Sequence, residues 1–198
     1  MIFISNVLKL TSPIPPSVNH YLAVRSFIQY INKKPKAMST IYETTEAKLY
    51  KKDFSEYVKQ EVKKQNWDIE LTRNRHHYLD AVFYFGRIDQ DEQNYWKCLC
   101  DSMNGIAYID DNYILTRTNA VYYDSKNPRI ELVLNPTEYI GIFDNEECLN
   151  NFESNCKNCM RYSRNCSILK KSKEGRIQEE IQNFICSEFK VKKVKKIK

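Results

Sequence analysis

Between Phe85 and Ile114 the chain reads FGRIDQDEQNYWKCLCDSMNGIAYIDDNYI, which sets Asp89, Asp91, Asp101 and Asp111 around Lys97. Carboxylates brought close together repel one another unless a cation joins them. Hard divalent cations such as Mg²⁺ take carboxylate, water and phosphate oxygens rather than thiolates. Carboxylate-held Mg²⁺ beside a lysine suits phosphodiester hydrolysis. The metal acidifies the attacking water, and metal and lysine together neutralise the charge that develops on phosphorus.

Positioning those groups requires a helix. With Glu92–Met103 helical at 100° per residue, Tyr95, Trp96, Leu99 and Met103 fall on one side. Asn94, Lys97 and Asp101 fall on the other, with Asp91 near the same arc. The apolar side can dock on a sheet while the polar side faces a cleft. Asn104-Gly105 closes the helix, and IAYIDD then returns as a short extended segment that can carry Asp110 and Asp111 back towards Asp91. The same spacing also fits a plain surface helix whose Lys97 and Asp101 form an i,i+4 ion pair of ~0.3–0.5 kcal/mol. Spacing alone does not choose between them.

A second constellation lies near the C-terminus. Cys156-x2-Cys159-x6-Cys166 places two thiolates as a knuckle on one tetrahedral metal, with two more needed to close the site. Cys186 sits in GRIQEEIQNFICSEF, where Ile177, Ile181, Phe184 and Ile185 mark an amphipathic helix able to return its thiolate. Cys148 is the competing fourth ligand. Structural Zn²⁺ is expected, with a [4Fe–4S] cluster and ordinary reduced cysteines as rivals. Lys157, Arg161, Tyr162, Arg164, Lys170, Lys171 and Lys173 interleave cations with an aromatic, as a grip on a DNA backbone would. Cys98 and Cys100 read as small buried hydrophobes of the core helix.

The elements around these groups follow from pattern. The segment IFISNVLKL reads as a first strand stopped by TSPIPPSVNH, and NKKPKAMST as a polar, irregular connection. Thr44 or Thr45 caps a helix with Tyr50, Phe54, Tyr57, Val58 and Val62 on one stripe. Tyr78–Gly86 is a buried strand, with Gly86 relieving the backbone at its end. YILTRTNAVYYD and RIELVLNP form a hairpin around Ser125–Pro128. His76 and His77, in NRHHY, read as a solvated turn. Composition shifts after Pro136, and five of the seven cysteines follow Phe143. The expected organisation is a core over residues 1–142 and a smaller basic module over 143–198. The expected fold is α+β, a two-layer mixed sheet with helices packed on it, plus a metal-stabilised helical C-terminal module.

Composition excludes several classes. A chain of 198 residues with 42% hydrophobic and 28% charged residues is ordinary for a globular protein. Four glycines and no GxxxxGK[ST] or GxGxxG argue against nucleotide motors and dinucleotide enzymes. No Ser-His-Asp or Cys-His arrangement stands out among three histidines. No apolar run approaches the ~20 residues that span a bilayer, and no signal peptide is recognisable, so a reducing cytoplasm is expected. The net charge of +6, with KVKKVKKIK at the end, favours a polyanion partner. Taken alone, the tail also fits a solvated segment.

The acidic stretch resembles the signature of the RusA-like Holliday junction resolvases, whose pattern is Asp-x-Asp-Asn-x-x-Lys-x-x-x-Asp, then a short turn and Asp-Asp before a strand. DEQNYWKCLCDSMNGIAYIDD supplies Asp91, Asn94, Lys97, Asp101, Asn104-Gly105 and Asp110-Asp111 in register, and PPSVNHY, with Asn19, matches that family's Pro-x-Ser-x-Asn turn. The resemblance covers most of residues 1–140. It implies an Mg²⁺-dependent endonuclease, dimeric, acting on four-way DNA junctions in a bacterial cytoplasm, in a family often carried by phages. It implies Asp91 and Asp111 as metal ligands, with Asp101 and Asp110 as further candidates. Lys97 would act on the scissile phosphate, Asn94 would orient the loop, and Asn19 would contact DNA. One position departs: Gln93 stands where the pattern has its second acid. Asp89 replaces that carboxylate, or the chain is a weakened nuclease that binds branched DNA. A flap or fork nuclease of the same chemistry also fits these residues, as does a protein-interaction module on a relic core.

Overall fold

The computed structural model describes residues 6–164 and 166–192. It divides into two compact units, one of residues 1–73 with 77–136, the other of 74–76 with 137–198.

The first unit is built on four strands, β1 (Leu8–Ser12), β4 (His77–Phe85), β5 (Ile114–Tyr123) and β6 (Arg129–Pro136), in the order β1-β6-β4-β5. Pairing is antiparallel except between β4 and β5. Alternate residues Leu79, Ala81, Phe83 and Phe85 of β4 point to one face, joined by Leu8, Leu10, Ile130, Leu132 and Leu134. Two helices cover that face. In α2 (Thr45–Lys64) Phe54 and Val58 are buried; in α3 (Trp96–Met103) Trp96, Leu99 and Met103 are. Burying each such side chain contributes roughly 1.5–3 kcal/mol. The result is a mixed sheet with helices on one side, as the pattern predicts. Thr44 caps α2, its side chain accepting from the Ala47 N–H at 3.2 Å.

Four readings of the sequence need correction in this unit. Lys34–Glu43 is a strand, β3, paired in full with β2 (Leu22–Ile31) rather than an irregular connection. Asn32 and Lys33, with φ of 52° and 64°, make the two-residue turn whose twist suits a hairpin. A short helix, α1 (Val18–Tyr21), leads into this ribbon. Second, β5 and β6 are not a hairpin. Both pair with β4, which lies between them, so the 124–128 connection crosses the end of β4. This crossing accounts for Gly86, because a Cβ there would meet the Pro128 ring at 3.3 Å. Third, Glu92–Met103 is not one helix. A 3₁₀ turn at Glu92–Asn94 precedes α3, with Tyr95 between them. Fourth, His77 is buried at the start of β4, edge-on to Trp67, and is not in a solvated turn. The first strand begins at Leu8; residues 2–5 of the predicted strand lie outside the described residues.

The second unit holds α4 (Glu146–Lys157) and α5 (Ser167–Lys173) around Phe143, Leu149, Phe152 and Leu169. Asn145 caps α4 through the Cys148 N–H at 2.8 Å. The predicted helix around Cys186 is instead a small hairpin of β7 (Ile181–Gln182) and β8 (Ile185–Cys186). Asn183 and Phe184 turn between them with positive φ, and Ile177 and Ile185 are largely exposed, so the apolar pattern has no buried face to form. Residues 193–198 of the basic tail lie outside the described residues.

Candidate active site

Lys97 lies on the first turn of α3, and Asp101 one turn later on the same face. Lys97 Nζ meets Asp101 Oδ1 at 2.7 Å. The other oxygen, Oδ2, accepts from the Tyr21 hydroxyl at 2.5 Å. Tyr21 is itself buried, and Glu43 Oε1 lies 3.1 Å from the same hydroxyl. Lys51 completes the row, with its Nζ 2.9 Å from Glu43. The row therefore runs from the Lys97 cation through the Asp101 carboxylate, the neutral Tyr21 phenol and the Glu43 carboxylate to the Lys51 cation.

The titration behaviour follows that order. The Asp101 hydrogen bond chiefly holds the Lys97 ammonium above the usual lysine range, with Asp111 adding to it through space. Burial first, then the Asp101 carboxylate, pushes the Tyr21 phenol far up, so it stays protonated and donates. The Lys51 hydrogen bond draws Glu43 down.

The remaining acids are placed differently. Asp91 caps the 3₁₀ turn, its Oδ1 accepting from the Gln93 N–H at 3.1 Å. Asp110 does the same before β5 through the Asn112 N–H at 2.9 Å. Asp89 is exposed and paired with Arg87 at 3.2 Å. The Gln93 amide donates to Glu92 at 2.9 Å. Asp89 and Asp91 follow β4 in the chain, while Asp110 and Asp111 precede β5, which pairs parallel to β4. Among the described residues no group of three or more His, Cys, Asp or Glu is arranged to hold a metal ion. The structure thus joins Lys97 with Asp101 and places Asp111 within electrostatic reach, but does not gather Asp89, Asp91 and Asp110 with them.

A family model for the endodeoxyribonuclease RusA matches residues 13–135. The chain belongs to the RusA family. The match spans the ribbon of β2 and β3, both helices packed on the sheet, and every acid of the motif. No curated protein matches the chain.

RusA nucleases are generally divalent-metal dependent, and the donor chemistry here fits such an ion. Asp91 and Asp110 each give one oxygen to a single N–H, and a carboxylate retains further lone pairs for a cation. All the candidate donors are hard oxygens.

Reasoning from sequence missed Tyr21, Glu43 and Lys51. Tyr21 closes the PPSVNHY turn, but its partner Glu43 comes within reach only because β2 and β3 pair back to Leu22 opposite Glu43. An unrecognised hairpin hid the contact. Of the predicted DNA contacts, Asn19, Arg164, Lys170 and Lys171 are exposed, Asn94 is half-buried, and Arg161 is paired with Glu188 at 2.8 Å. Among the described residues no helix is long and apolar enough to cross a membrane.

Proposed function

We propose that this chain resolves four-way DNA junctions, hydrolysing phosphodiester bonds with Mg²⁺ as a homodimer. The observation that carries the reading is Lys97, fixed by Asp101 and under the influence of Asp111, within the stretch that the RusA family model covers. Mg²⁺, when bound, supplies an acidified water and neutralises phosphate charge. Asp91 and Asp111, with Asp89 or Asp110, are its proposed ligands. Lys97 presents a point charge to the scissile phosphate. Asp101 and Tyr21 aim it.

The ribbon of β2 and β3 supports a DNA partner. Arg25, Lys33, Lys34 and Lys36 are exposed on it, and no acid occurs before Glu43. Val24, Ile28, Tyr30 and Ile41 are also largely exposed there. A two-stranded ribbon is marginal by itself, and pairing with a second copy would cover such residues.

The test is cleavage of a labelled four-way junction with Mg²⁺, beside linear duplex, flap and EDTA controls. Paired symmetric nicks confined to the junction, lost in Lys97→Ala, support the reading. Cutting of flaps in preference to junctions would make this a branched-DNA nuclease of another substrate. Gln93 favours a second reading, a branched-DNA-binding protein with weakened catalysis. Tight junction binding with no cut in any substrate would establish it.

A further inference from the structure

Cys156 and Cys159 lie at the end of α4 and just beyond it, Cys166 immediately before α5, and Cys186 at the end of β8. These three segments bring the four cysteines to a single cavity of about 20 Å³, which Tyr162 and Ile168 also line. All four are free thiols. Cys148, the rival in sequence, is not among the lining residues.

The knuckle is already built. The Cys159 N–H donates to the Cys156 carbonyl at 2.8 Å. The Cys159 sulfur accepts from the Arg161 N–H at 3.5 Å and the Lys190 N–H at 3.4 Å. Residues 190–192 run along the knuckle, with Lys190 accepting from the Met160 N–H and Lys192 donating to Asn158. Backbone N–H groups aimed at one sulfur stabilise its thiolate, the form that ligates metal.

Stability supplies an independent reason. The second unit has roughly 60 residues, a size at which a metal or disulfides often supplement the core. Its principal apolar cluster has four buried members, and its cysteines are not bridged.

We propose that Cys156, Cys159, Cys166 and Cys186 bind one structural Zn²⁺ that fastens α4, α5 and the β7–β8 hairpin together. A cavity of about 20 Å³ favours a single ion over a cluster. A Zn–S bond of ~2.3 Å sets tetrahedral sulfurs about 3.7 Å apart, around a space for one atom, whereas a [4Fe–4S] cubane needs a far larger cavity. The thiols do not stand in ligand geometry, so binding requires them to rotate to other staggered rotamers. The site is independent of whether the first unit cuts DNA.

The experiment is metal analysis of the full-length chain, purified with a thiol reductant and dialysed into Mg²⁺ buffer. About one Zn²⁺ per chain is expected, with Co²⁺ substitution giving the intense sulfur-to-metal charge-transfer band of a tetrathiolate. Cys148→Ser should retain full zinc, and Cys166→Ser or Cys186→Ser should lose at least about fivefold. The proposal is overturned if the wild-type chain, refolded with Zn²⁺, holds less than about a tenth of an ion. Iron with acid-labile sulfide in anaerobic preparations would also overturn it, as would zinc lost in Cys148→Ser but kept in Cys186→Ser.

Discussion

The Tyr21 hydroxyl donates to Asp101 Oδ2 at 2.5 Å, joining the short helix before β2 to the second turn of α3 across eighty positions of sequence. Lys97 holds the other oxygen at 2.7 Å, so Asp101 is gripped from both sides. This favours a positioning role for Asp101, since a carboxylate so engaged is less available to a metal than Asp91 or Asp111. It also ties the exposed Lys97 ammonium to a part-buried network rather than leaving it a loose surface cation.

Tyr21→Phe removes the donor and leaves a half-buried carboxylate one hydrogen bond short. The expected cost is about 1–3 kcal/mol in denaturant unfolding. Junction cleavage should fall mainly in kcat, because Lys97 loses the anchor that aims it, while junction affinity changes little. Unchanged kcat with lowered stability would reduce Tyr21 to a purely structural residue.

Where local pattern and tertiary need agree, sequence sufficed. The α2 stripe, the Thr44 cap and the apolar strand β4 were all legible because each follows one period or one side-chain bond. The β2–β3 ribbon was not. Its strands are exposed on both faces, so they lack the inside-outside alternation that marks a strand, and its turn is Asn32-Lys33 rather than Asn-Gly. The order of β4, β5 and β6 was hidden for another reason. A close sequence neighbour is the usual partner, but α3 carries the chain across the sheet and sets β5 parallel to β4.

Alkaline pH should weaken the first unit. Burial pushes Cys98 up to about 11 and Cys100 up to about 12, against an ordinary 9.0. A raised folded-state pKa contributes stability fully present below pH 9, lost as pH rises through the folded value. The unfolding midpoint should therefore decline from pH 9 to about 12. Cys98→Ala should make the decline shallower over pH 9 to 11, read as unfolding midpoint against pH. An unaltered slope would leave Cys100 and the buried tyrosines as the origin.

Gln93 contributes no charge at the position where the RusA-like pattern has an acid. Gln93→Asp adds one carboxylate beside Asp91, and ligand charge tunes affinity for hard cations. Half-saturating Mg²⁺ for junction cleavage should fall by roughly tenfold. Asp89→Asn in the wild-type background should abolish cleavage and spare binding if Asp89 has taken over the missing ligand role. In the Gln93→Asp background the same change should then be tolerated. Equal loss in both backgrounds would show that Asp89 does not substitute for the acid.

Gly141 tests the second unit. It has φ of +61°, a left-handed conformation that side chains disfavour. A Cβ there would stand 2.1 Å from the Ser172 carbonyl oxygen and 2.8 Å from the Lys173 backbone. Both obstacles are main chain at the end of α5, so no side chain can swing aside. The Ile142 N–H bonds that same Ser172 carbonyl at 3.0 Å, and a displaced α5 would break this bond too. Strain and overpacking together should cost about 3 kcal/mol or more, a large fraction of what so small a unit can hold. Gly141→Ala should therefore open residues 137–192 to proteolysis while leaving hydrogen exchange in β4 and β6 at the wild-type rate. If exchange in β4 rises with it, the two units unfold as one. If Gly141→Ala is as protease-resistant as wild type, the Gly141–Ser172 approach does not hold α5 in place.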